Sequence, residues 1–230
     1  MINHIIFDCF GTLIDTGTGS INAVKQILFN VNSNVDAKSF YADWKRQKKV
    51  LMNESCLTGF ADEKTLFRLS LAQTFADYGI AADAGVEVKP MIDSLFGDRR
   101  LYDDVKAALK MLDDKEIEYV IGSTTDNDSL MYYLELNDLR FAKIFTSEDM
   151  KVYKPNPLFY EKILSANGWR AGECLFVGDS LVDDVCGPKS VGMRAVLLDR
   201  KGTFAEDESD VKPDYVIRSL LDLADVLAKD

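Results

Sequence analysis

The 230-residue chain contains a single histidine, and its four cysteines show no paired spacing. Without a second histidine no Ser-His-Asp triad is plausible, and His4 opens an apolar run where we expect a solvent-edge residue rather than a catalytic base. Two cysteines lie in apolar runs, so buried reduced thiols are expected rather than disulfides or a zinc site. The cysteines are Cys9, Cys56, Cys174 and Cys186.

Long apolar runs and positive charge are also scarce. No run approaches the roughly 18 residues of a membrane span, and the N-terminus lacks the basic region and cleavage site of a signal peptide, so we expect a cytoplasmic protein. With 27 Lys and Arg against 38 Asp and Glu, the formal net charge is −11. Phosphate backbones and anionic lipids would be repelled, so neither nucleic acid nor a membrane is an expected partner. The oligomeric state stays open.

Residues 4–15, HIIFDCFGTLID, form the most informative stretch. The apolar run suits a strand that is covered on both faces, as in a parallel sheet, and Asp8 follows at its end. Gly11 allows the sharp exit that such a strand needs. Ligands of open α/β sheets bind beyond the carboxyl ends of the strands, so Asp8 is expected to face a crevice. The alternative is that Asp8 only caps the next turn.

The rest of the chain divides into two kinds of pattern. Residues 17–96 show apolar residues at helical spacing and no convincing strand, whereas residues 97–230 alternate short apolar runs with helices. We predict an α/β fold, with a Rossmann-like parallel-sheet core domain formed by 1–16 and 97–230 and an inserted all-helical cap domain at 17–96. Strands are predicted at 118–123, 143–146, 174–178, 194–198 and 215–217, and helices include 84–96, broken or kinked at Pro90, and 182–191.

Polar residues follow several of these predicted strands. In chain order they are Asp8, Ser123 with Thr124, Lys154, and Asp179 with Asp183 and Asp184. Each has an innocent explanation as a helix cap or a surface lysine, but that account gives no reason for their gathering at the same end of one sheet. A carboxylate nucleophile, a lysine and further carboxylates fit together around a phosphate group and Mg²⁺. No glycine-rich nucleotide-binding loop is present.

Four motifs in this order resemble those of the haloacid dehalogenase superfamily. The first, a strand-terminal D-x-[DYF]-G-T, matches DCFGT at 8–12, and the second, a strand-end Ser or Thr, matches Ser123. The third, a lysine before proline, matches Lys154 in YKPNP, and the fourth, GDSxxxD, matches 178–184. The resemblance covers the whole chain and includes a helical cap after the first motif.

The resemblance implies roles for these residues. Asp8 would be the nucleophile that forms an aspartyl intermediate, and Lys154 would orient and neutralise the transferring group. The groups that bind the substrate phosphate would include Gly11, Thr12, Ser123 and Thr124. Mg²⁺ would be the cofactor, held by Asp8, the backbone carbonyl of Phe10, Asp179 and either Asp183 or Asp184, between which the spacing does not decide.

Phe10 departs from the family's phosphatases, which usually carry a second aspartate there to protonate the leaving alcohol. A positioned general acid contributes about 10²–10⁴ in rate, or roughly 3 to 5 kcal/mol, so poor leaving groups should suffer most. Haloacid dehalogenases of the family carry an aromatic residue at this place, and Tyr160 follows Lys154 at the spacing they show. Their cap arginine is matched imperfectly, since Lys45 occupies the aligned place and Arg46 the next. Phe10, Lys45 and Arg46 are therefore candidate substrate-binding residues.

Asp179 argues against dehalogenation. The haloacid dehalogenases that this chain resembles carry a small polar residue in place of Asp179. Three carboxylates without a metal ion would repel the carboxylate of a haloacid substrate. The favoured interpretation is a Mg²⁺-dependent phosphatase acting on a small phosphorylated metabolite, with a 2-haloacid dehalogenase as the alternative. Phosphonate cleavage through a Schiff base on Lys45, Lys48 or Lys49 is a third possibility, and a catalytically feeble phosphate- and metal-binding protein is a fourth.

Overall fold

The computed structural model describes residues 2–97, 99–204 and 211–229. Contacts between Cα atoms divide the chain into two units, each described by itself. The sheet unit comprises Met1–Asp15, Leu101–Thr124 and Asn137–Asp230, and the helical unit comprises Thr16–Arg100 and Thr125–Leu136. Among the described residues, no helix combines the length and the apolar character that crossing a membrane requires.

Strands β1 to β8 span, in order, His4–Phe7, Ile14–Asp15, Arg100–Leu101, Glu118–Ser123, Ile144–Thr146, Cys174–Gly178, Arg194–Leu198 and Tyr215–Ile217. Helices α1 to α11 span Gly19–Asn30, Ala37–Thr58, Glu63–Asp77, Ala84–Glu87, Lys89–Ser94, Val105–Asp114, Asn127–Leu136, Ser147–Met150, Pro157–Asn167, Gly187–Ser190 and Leu223–Ala228. Short 3₁₀ turns occupy Ala171–Glu173 and Leu220–Asp222, and a π-helical turn occupies Leu181–Cys186.

The sheet unit is built on one six-stranded parallel sheet in the order β5-β4-β1-β6-β7-β8. This confirms the predicted α/β class. Strand β1 lies between β4 and β6, with Ile6 opposite Val120 on one side and Phe176 on the other. Ile5 and Ile6 are fully buried, as expected for a strand covered on both faces. Because the strands are parallel, the loops after β1, β4, β6 and β7 leave from the same edge.

The helical unit packs around aromatic side chains of α2 and α3. The Trp44 ring meets Phe40 and Phe67 edge-on, and its indole N–H donates to Ser70 Oγ at 2.8 Å. The polar end of this buried ring is therefore satisfied. Helices α1, α2 and α3 confirm the helical spacing of this block, but Leu69 of α3, three residues after the buried Leu66, is 44% exposed.

Two predicted helices are interrupted. The helix expected at 84–96 is broken near Pro90, as predicted: it forms the two short helices α4 and α5, and Pro90 lies in the first turn of α5, where its missing N–H needs no partner. The helix expected at 182–191 is instead the π-helical turn followed by α10. Strands β2 and β3 and helix α8 have no counterpart in the sequence prediction, because elements of two to four residues are too short to show a period.

Candidate active site

A buried ammonium joins two carboxylates at the carboxyl end of the sheet. Lys154 Nζ lies 2.7 Å from Asp8 Oδ1 and 2.7 Å from Asp184 Oδ1. Asp8 directly follows the central strand β1, and its backbone N–H donates to Val177 O of β6. The structure thus brings together a residue of the first motif, the third and the fourth, which are far apart in sequence.

Apolar packing fixes the Lys154 side chain. The residue is 2% exposed, and its ammonium lies 5.1 Å from the centroid of the Phe176 ring. The preceding Tyr153 is buried, and Asn156 caps α9 by accepting a hydrogen bond from Leu158 N. Backbone and side chain are both anchored, so the ammonium has little freedom to leave the two carboxylates.

The three buried groups influence one another's ionisation. Burial raises the pKa of Asp8, with the nearby Lys154 ammonium opposing the shift and Asp179 adding to it. Burial likewise raises the pKa of Asp184 to about 6, again against the pull of Lys154. Burial by itself would lower the pKa of Lys154, but Asp184 and Asp8 outweigh it and raise the pKa above its ordinary value. Lys154 is therefore an ammonium, not a base.

Asp179 supplies a third carboxylate beside Asp8 and Asp184. One oxygen from each of the three lies within 4.8 Å of the other two. The Asp179 side chain is exposed to solvent, but its carboxylate lies close to Gly11 and to the other two carboxylates, and desolvation by nearby protein atoms together with repulsion from Asp184 raises its pKa to about 6. An elevated pKa in all three carboxylates is what a cluster of like charges with a single ammonium is expected to show.

Two glycines permit this close approach. A Cβ on Gly11 would lie 2.4 Å from Asp179 Oδ2, and the φ angle of Gly11 is +99°, which other residues rarely adopt. A Cβ on Gly178 would lie 2.3 Å from Asp184 Cγ. The glycines of the first and fourth motifs are thus needed to let the carboxylates lie against the backbone.

The π-helical turn determines which of two neighbouring aspartates faces the site. Asp184 is 1% exposed, and its Oδ2 accepts a hydrogen bond from Ser180 N at 2.9 Å. Asp183 is half-buried and is not one of the three clustered carboxylates, while its backbone carbonyl accepts from the Tyr160 hydroxyl. π-Helical turns recur at functional sites, and this one directs Asp184 inward.

The donor set fits Mg²⁺. The ion prefers oxygen ligands, retains several waters and needs only one or two carboxylates from the protein, and the cluster of Asp8, Asp179 and Asp184 offers three. A second observation supports a polar ligand here: the buried Oγ1 of Thr124, just beyond the end of β4, has no hydrogen-bond partner within the described residues. Buried polar atoms without partners are rare and call for an explanation such as a bound group.

The remaining residues of the first and second motifs lie in the same unit. The Thr12 hydroxyl donates to Asp8 Oδ2 at 3.2 Å, and both Thr12 and Ser123 are buried. Phe10 is half-buried, and its backbone forms a bridge to Ile14. Because its side chain is a phenyl ring, it brings no ionisable group to the loop after β1.

The predicted cap residues lie on α2 of the helical unit. Lys45 Nζ lies 4.9 Å from the centroid of the Tyr41 ring, and the exposed Arg46 pairs with Asp43 at 2.8 Å. Lys48 is largely buried and pairs with Glu63 at 2.6 Å.

Sequence reasoning missed Arg200 and Asp104. Arg200 Nη2 donates to the backbone carbonyl of Thr12 at 2.9 Å, and the guanidinium forms two hydrogen bonds with Asp104. A signal was available, because Arg200 follows β7 just as the other site residues follow their strands.

Comparisons with known proteins agree with this geometry. The model of the haloacid dehalogenase-like hydrolase family matches residues 2–192. A glyceraldehyde 3-phosphate phosphatase of Methanopyrus kandleri is 27% identical over 236 residues, covering 90% of this chain and 100% of that protein. A phosphoglycolate phosphatase of Salmonella choleraesuis is 25% identical, with 98% and 92% covered. The solved L-2-haloacid dehalogenase of Xanthobacter autotrophicus shares the fold, with a TM-score of 0.76, 22% identity and 99% of each chain covered.

Proposed function

The chain belongs to the haloacid dehalogenase-like hydrolase family, as its four motifs predicted, and we propose that it is a Mg²⁺-dependent phosphatase of small phosphate monoesters. One observation carries the choice of reaction: Asp179 completes a cluster of three carboxylates with Asp8 and Asp184, and the Lys154 ammonium contacts two of the three. A cluster with this excess of negative charge suits a divalent cation and, through it, a phosphate dianion.

Asp8 is the proposed nucleophile. One of its carboxylate oxygens attacks the phosphorus atom, the bond from phosphorus to the ester oxygen breaks, and an aspartyl phosphate forms on Asp8. A water molecule then attacks the same phosphorus, which releases inorganic phosphate and restores the Asp8 carboxylate. Lys154 stays an ammonium throughout, so it holds Asp8 in place and offsets negative charge on the transferring group.

The leaving oxygen must find its proton without Phe10. A phenylalanine two residues after the nucleophile cannot donate one, so solvent or the substrate itself protonates the departing alcohol. We therefore expect phosphate esters with good leaving groups to react fastest. This dependence on the leaving group distinguishes the proposed enzyme from a phosphatase with an acid at that position.

Asp8, Asp179 and Asp184 would hold Mg²⁺, with the backbone carbonyl of Phe10 as a further proposed ligand. Bound there, the ion would neutralise part of the charge that the attacking carboxylate and the phosphate bring together. The hydroxyls of Ser123 and Thr124 would bind phosphate oxygens, whereas the Thr12 hydroxyl donates to Asp8 Oδ2. The Thr124 hydroxyl has no hydrogen-bond partner in the part of the chain that the structure describes.

Residues 17–96 are the proposed cap, and their side chains would select the substrate. Lys45 and Arg46 of α2 are the proposed contacts for a second anionic group of the substrate. The two relatives named above carry the names of phosphatases of three- and two-carbon phosphorylated metabolites, which supports a substrate of similar size.

A 2-haloacid dehalogenase is the second candidate, favoured by Phe10 alone, since halide leaves without a proton. Against it, three clustered carboxylates would repel the carboxylate of a haloacid. Phosphonate cleavage is less favoured, because Lys48 is occupied by its ion pair with Glu63 and Lys45 lies over Tyr41.

The test measures phosphate release from 4-nitrophenyl phosphate and halide release from 2-chloropropionate, each with Mg²⁺ or with EDTA. We expect phosphate release that EDTA abolishes, and a fall in kcat of at least about 10³-fold in Asp8→Asn, by analogy with the loss of other catalytic nucleophiles. The matched control is Asp103→Asn, which removes an exposed carboxylate of the same unit and should leave kcat unchanged.

Other results would replace the proposal. Halide release that persists in EDTA would identify a dehalogenase. Binding of Mg²⁺ and inorganic phosphate without turnover of either substrate would identify a binding protein. Borohydride trapping of a phosphonate-derived aldehyde on Lys45, Lys48 or Lys49 would identify the Schiff-base reaction.

A further inference from the structure

Arg200, in the loop after β7, holds the loop that follows the nucleophile. Its Nη2 donates to the Thr12 carbonyl at 2.9 Å, while Nη1 and Nη2 contact the two oxygens of Asp104 at 2.9 and 3.0 Å. One planar guanidinium thus serves a carboxylate and a backbone carbonyl together. Only the fixed fork of an arginine offers that combination, since a lysine presents a single point charge.

Asp104 is itself fixed to another part of the unit. Besides Arg200, it accepts hydrogen bonds from Ser219 Oγ at 2.8 Å and Leu220 N at 2.9 Å. Burial would raise the pKa of Asp104, but the hydrogen bonds from Arg200, Leu220 and Ser219 outweigh it and hold the pKa below its ordinary value. The partner of the guanidinium is therefore ionised, and it is anchored independently of the nucleophile loop.

Stacking adds a second restraint on Arg200. The guanidinium carbon lies 3.8 Å from the centroid of the Tyr102 ring, and Tyr102 N donates to the carbonyl of Leu13 at 3.0 Å. The carbonyls of two consecutive loop residues, Thr12 and Leu13, thus accept hydrogen bonds from Arg200 and Tyr102, whose side chains stack on each other. The side chains of Arg200 and Asp104 are 17% and 12% exposed, so water competes little with these contacts.

The loop passes this restraint to the nucleophile over a short path. The Cys9 carbonyl accepts hydrogen bonds from the N–H groups of Thr12, Leu13 and Ile14, which makes a tight turn. The Thr12 hydroxyl then donates to Asp8 Oδ2. The carbonyl that Arg200 holds and the hydroxyl that contacts Asp8 belong to the same residue.

We propose that Arg200 is a positioning residue of the active site, which fixes the Thr12 hydroxyl on Asp8 by holding the Thr12 carbonyl. Arg200 touches neither the substrate nor the reacting atoms and acts through Thr12. The inference rests on the proposed function, in which Asp8 must meet phosphorus in line. A displacement of about 1 Å in a catalytic group lowers the rate by about 10²-fold, so loss of this restraint should reduce kcat.

Arg200→Lys separates positioning from stability. The lysine keeps a positive charge for Asp104 but cannot reach Asp104 and Thr12 together. With 4-nitrophenyl phosphate and Mg²⁺ we expect kcat to fall about 10- to 100-fold and KM to change less than about 3-fold, with the urea midpoint close to that of the wild type. Arg200→Gln should lower both kcat and the urea midpoint. Lys189→Gln, which removes a more exposed ion pair with Asp214, is the control and should change neither.

A wild-type kcat in Arg200→Lys overturns the inference, as does a kcat that falls only in proportion to the folded fraction. If the wild-type protein itself releases no phosphate, the proposed function fails. The role of Arg200 is then tested by amide hydrogen exchange alone. Faster exchange of the Thr12, Leu13 and Ile14 amides in Arg200→Lys, with Lys189→Gln unchanged, supports it. Unchanged exchange at those three amides overturns it.

Discussion

Lys154 Nζ lies 2.7 Å from Asp184 Oδ1, and the two side chains are 2% and 1% exposed. Lys154→Met removes the ammonium that contacts Asp184 and Asp8, so both buried carboxylates lose their counter-charge. Breaking such a buried pair costs about 3 to 5 kcal/mol. We expect urea denaturation at pH 7.5 to show a loss of that order.

The loss should shrink when the carboxylates can be protonated. Burial already raises the pKa of Asp184 to about 6, and removal of Lys154 raises it further, so the deficit should be smaller at pH 5 than at pH 7.5. Lys189→Met, which breaks a partly exposed pair with Asp214, is the control and should cost less than about 1 kcal/mol at both pH values. Equal losses in the two variants would contradict the argument.

Asp184 and Asp183 should differ sharply as metal ligands. Asp184→Asn removes one of the three clustered carboxylates, so we expect Mg²⁺ affinity to fall by at least about 10-fold, measured by isothermal titration calorimetry. Asp183→Asn changes a half-buried side chain outside the cluster and should reduce affinity less than about 3-fold. The reverse order of effects would mean that the turn at 181–186 presents Asp183 when the ion is bound.

The sequence predicted the core of this site because its residues obey one rule: each follows a buried strand of a parallel sheet. That rule correctly brought Asp8, Lys154 and Asp179 together, and it applies equally to Arg200, which was not considered. It could not choose between Asp183 and Asp184. The choice depends on a π-helical turn, whose extra residue per turn rotates side chains in a way that no apolar period records.

Other features depend on partners that are distant in sequence. Thr125–Leu136 belong to the helical unit because Asp126 accepts hydrogen bonds from Glu63 N and Lys64 N, across more than 60 residues of sequence. The exposure of Leu69 is a second feature that the sequence pattern did not predict. Helical spacing identifies a stripe of apolar residues, but the width of the buried stripe is set by what packs against it.

Mg²⁺ affinity should fall steeply with acid. Asp179 and Asp184 have pKa values raised to about 6, and a bound cation requires both as carboxylates, so protons compete with the ion below that pH. If both must ionise, the apparent Mg²⁺ affinity at pH 5 should be about 10- to 100-fold weaker than at pH 7.5. Calorimetry in buffers of different ionisation enthalpy should also detect proton release at pH 6. An affinity that is constant from pH 5 to 7.5 would exclude this linkage.

Asp126 should make the protein less stable as the pH rises. It is 3% exposed, and burial raises its pKa to about 6, although Glu63 N and Lys64 N donate to it. The native state therefore binds this proton more tightly than the unfolded state, whose pKa is near 4, so stability from this group is lost between pH 4 and 6. Asp126→Asn removes the titration. The unfolding free energy of the wild type, minus that of the variant, should fall by about 2 to 3 kcal/mol from pH 4 to 7.5.

Asp128→Asn provides the control for Asp126. Asp128 lies two residues further along, and its side chain is half exposed in an ion pair with Lys64. Loss of this partly exposed ion pair should cost less than about 1 kcal/mol at pH 7.5. A difference for Asp126→Asn that stays flat or rises with pH would show that its two backbone donors outweigh burial.

Alanine substitutions at Gly11 and Gly17 should separate the cost of backbone strain from that of a steric conflict with Asp179. Both have positive φ, +99° and +54°, but a Cβ on Gly11 would meet the Asp179 carboxylate at 2.4 Å, whereas nothing lies within 4 Å of one on Gly17. Gly17→Ala should cost about 1 to 2 kcal/mol from its backbone alone and leave kcat unchanged.

Gly11→Ala should carry that strain and also displace Asp179 from the carboxylate cluster. We expect Mg²⁺ affinity to fall by at least about 10-fold and kcat/KM by about 10²-fold, in a protein that still unfolds cooperatively. Saturating Mg²⁺ should restore only part of kcat/KM, because the displaced carboxylate also shifts the ion relative to Asp8. If Gly11→Ala lost only as much stability as Gly17→Ala and kept wild-type Mg²⁺ affinity, Asp179 could move away without consequence, and the argument that its carboxylate must lie against Gly11 would be wrong.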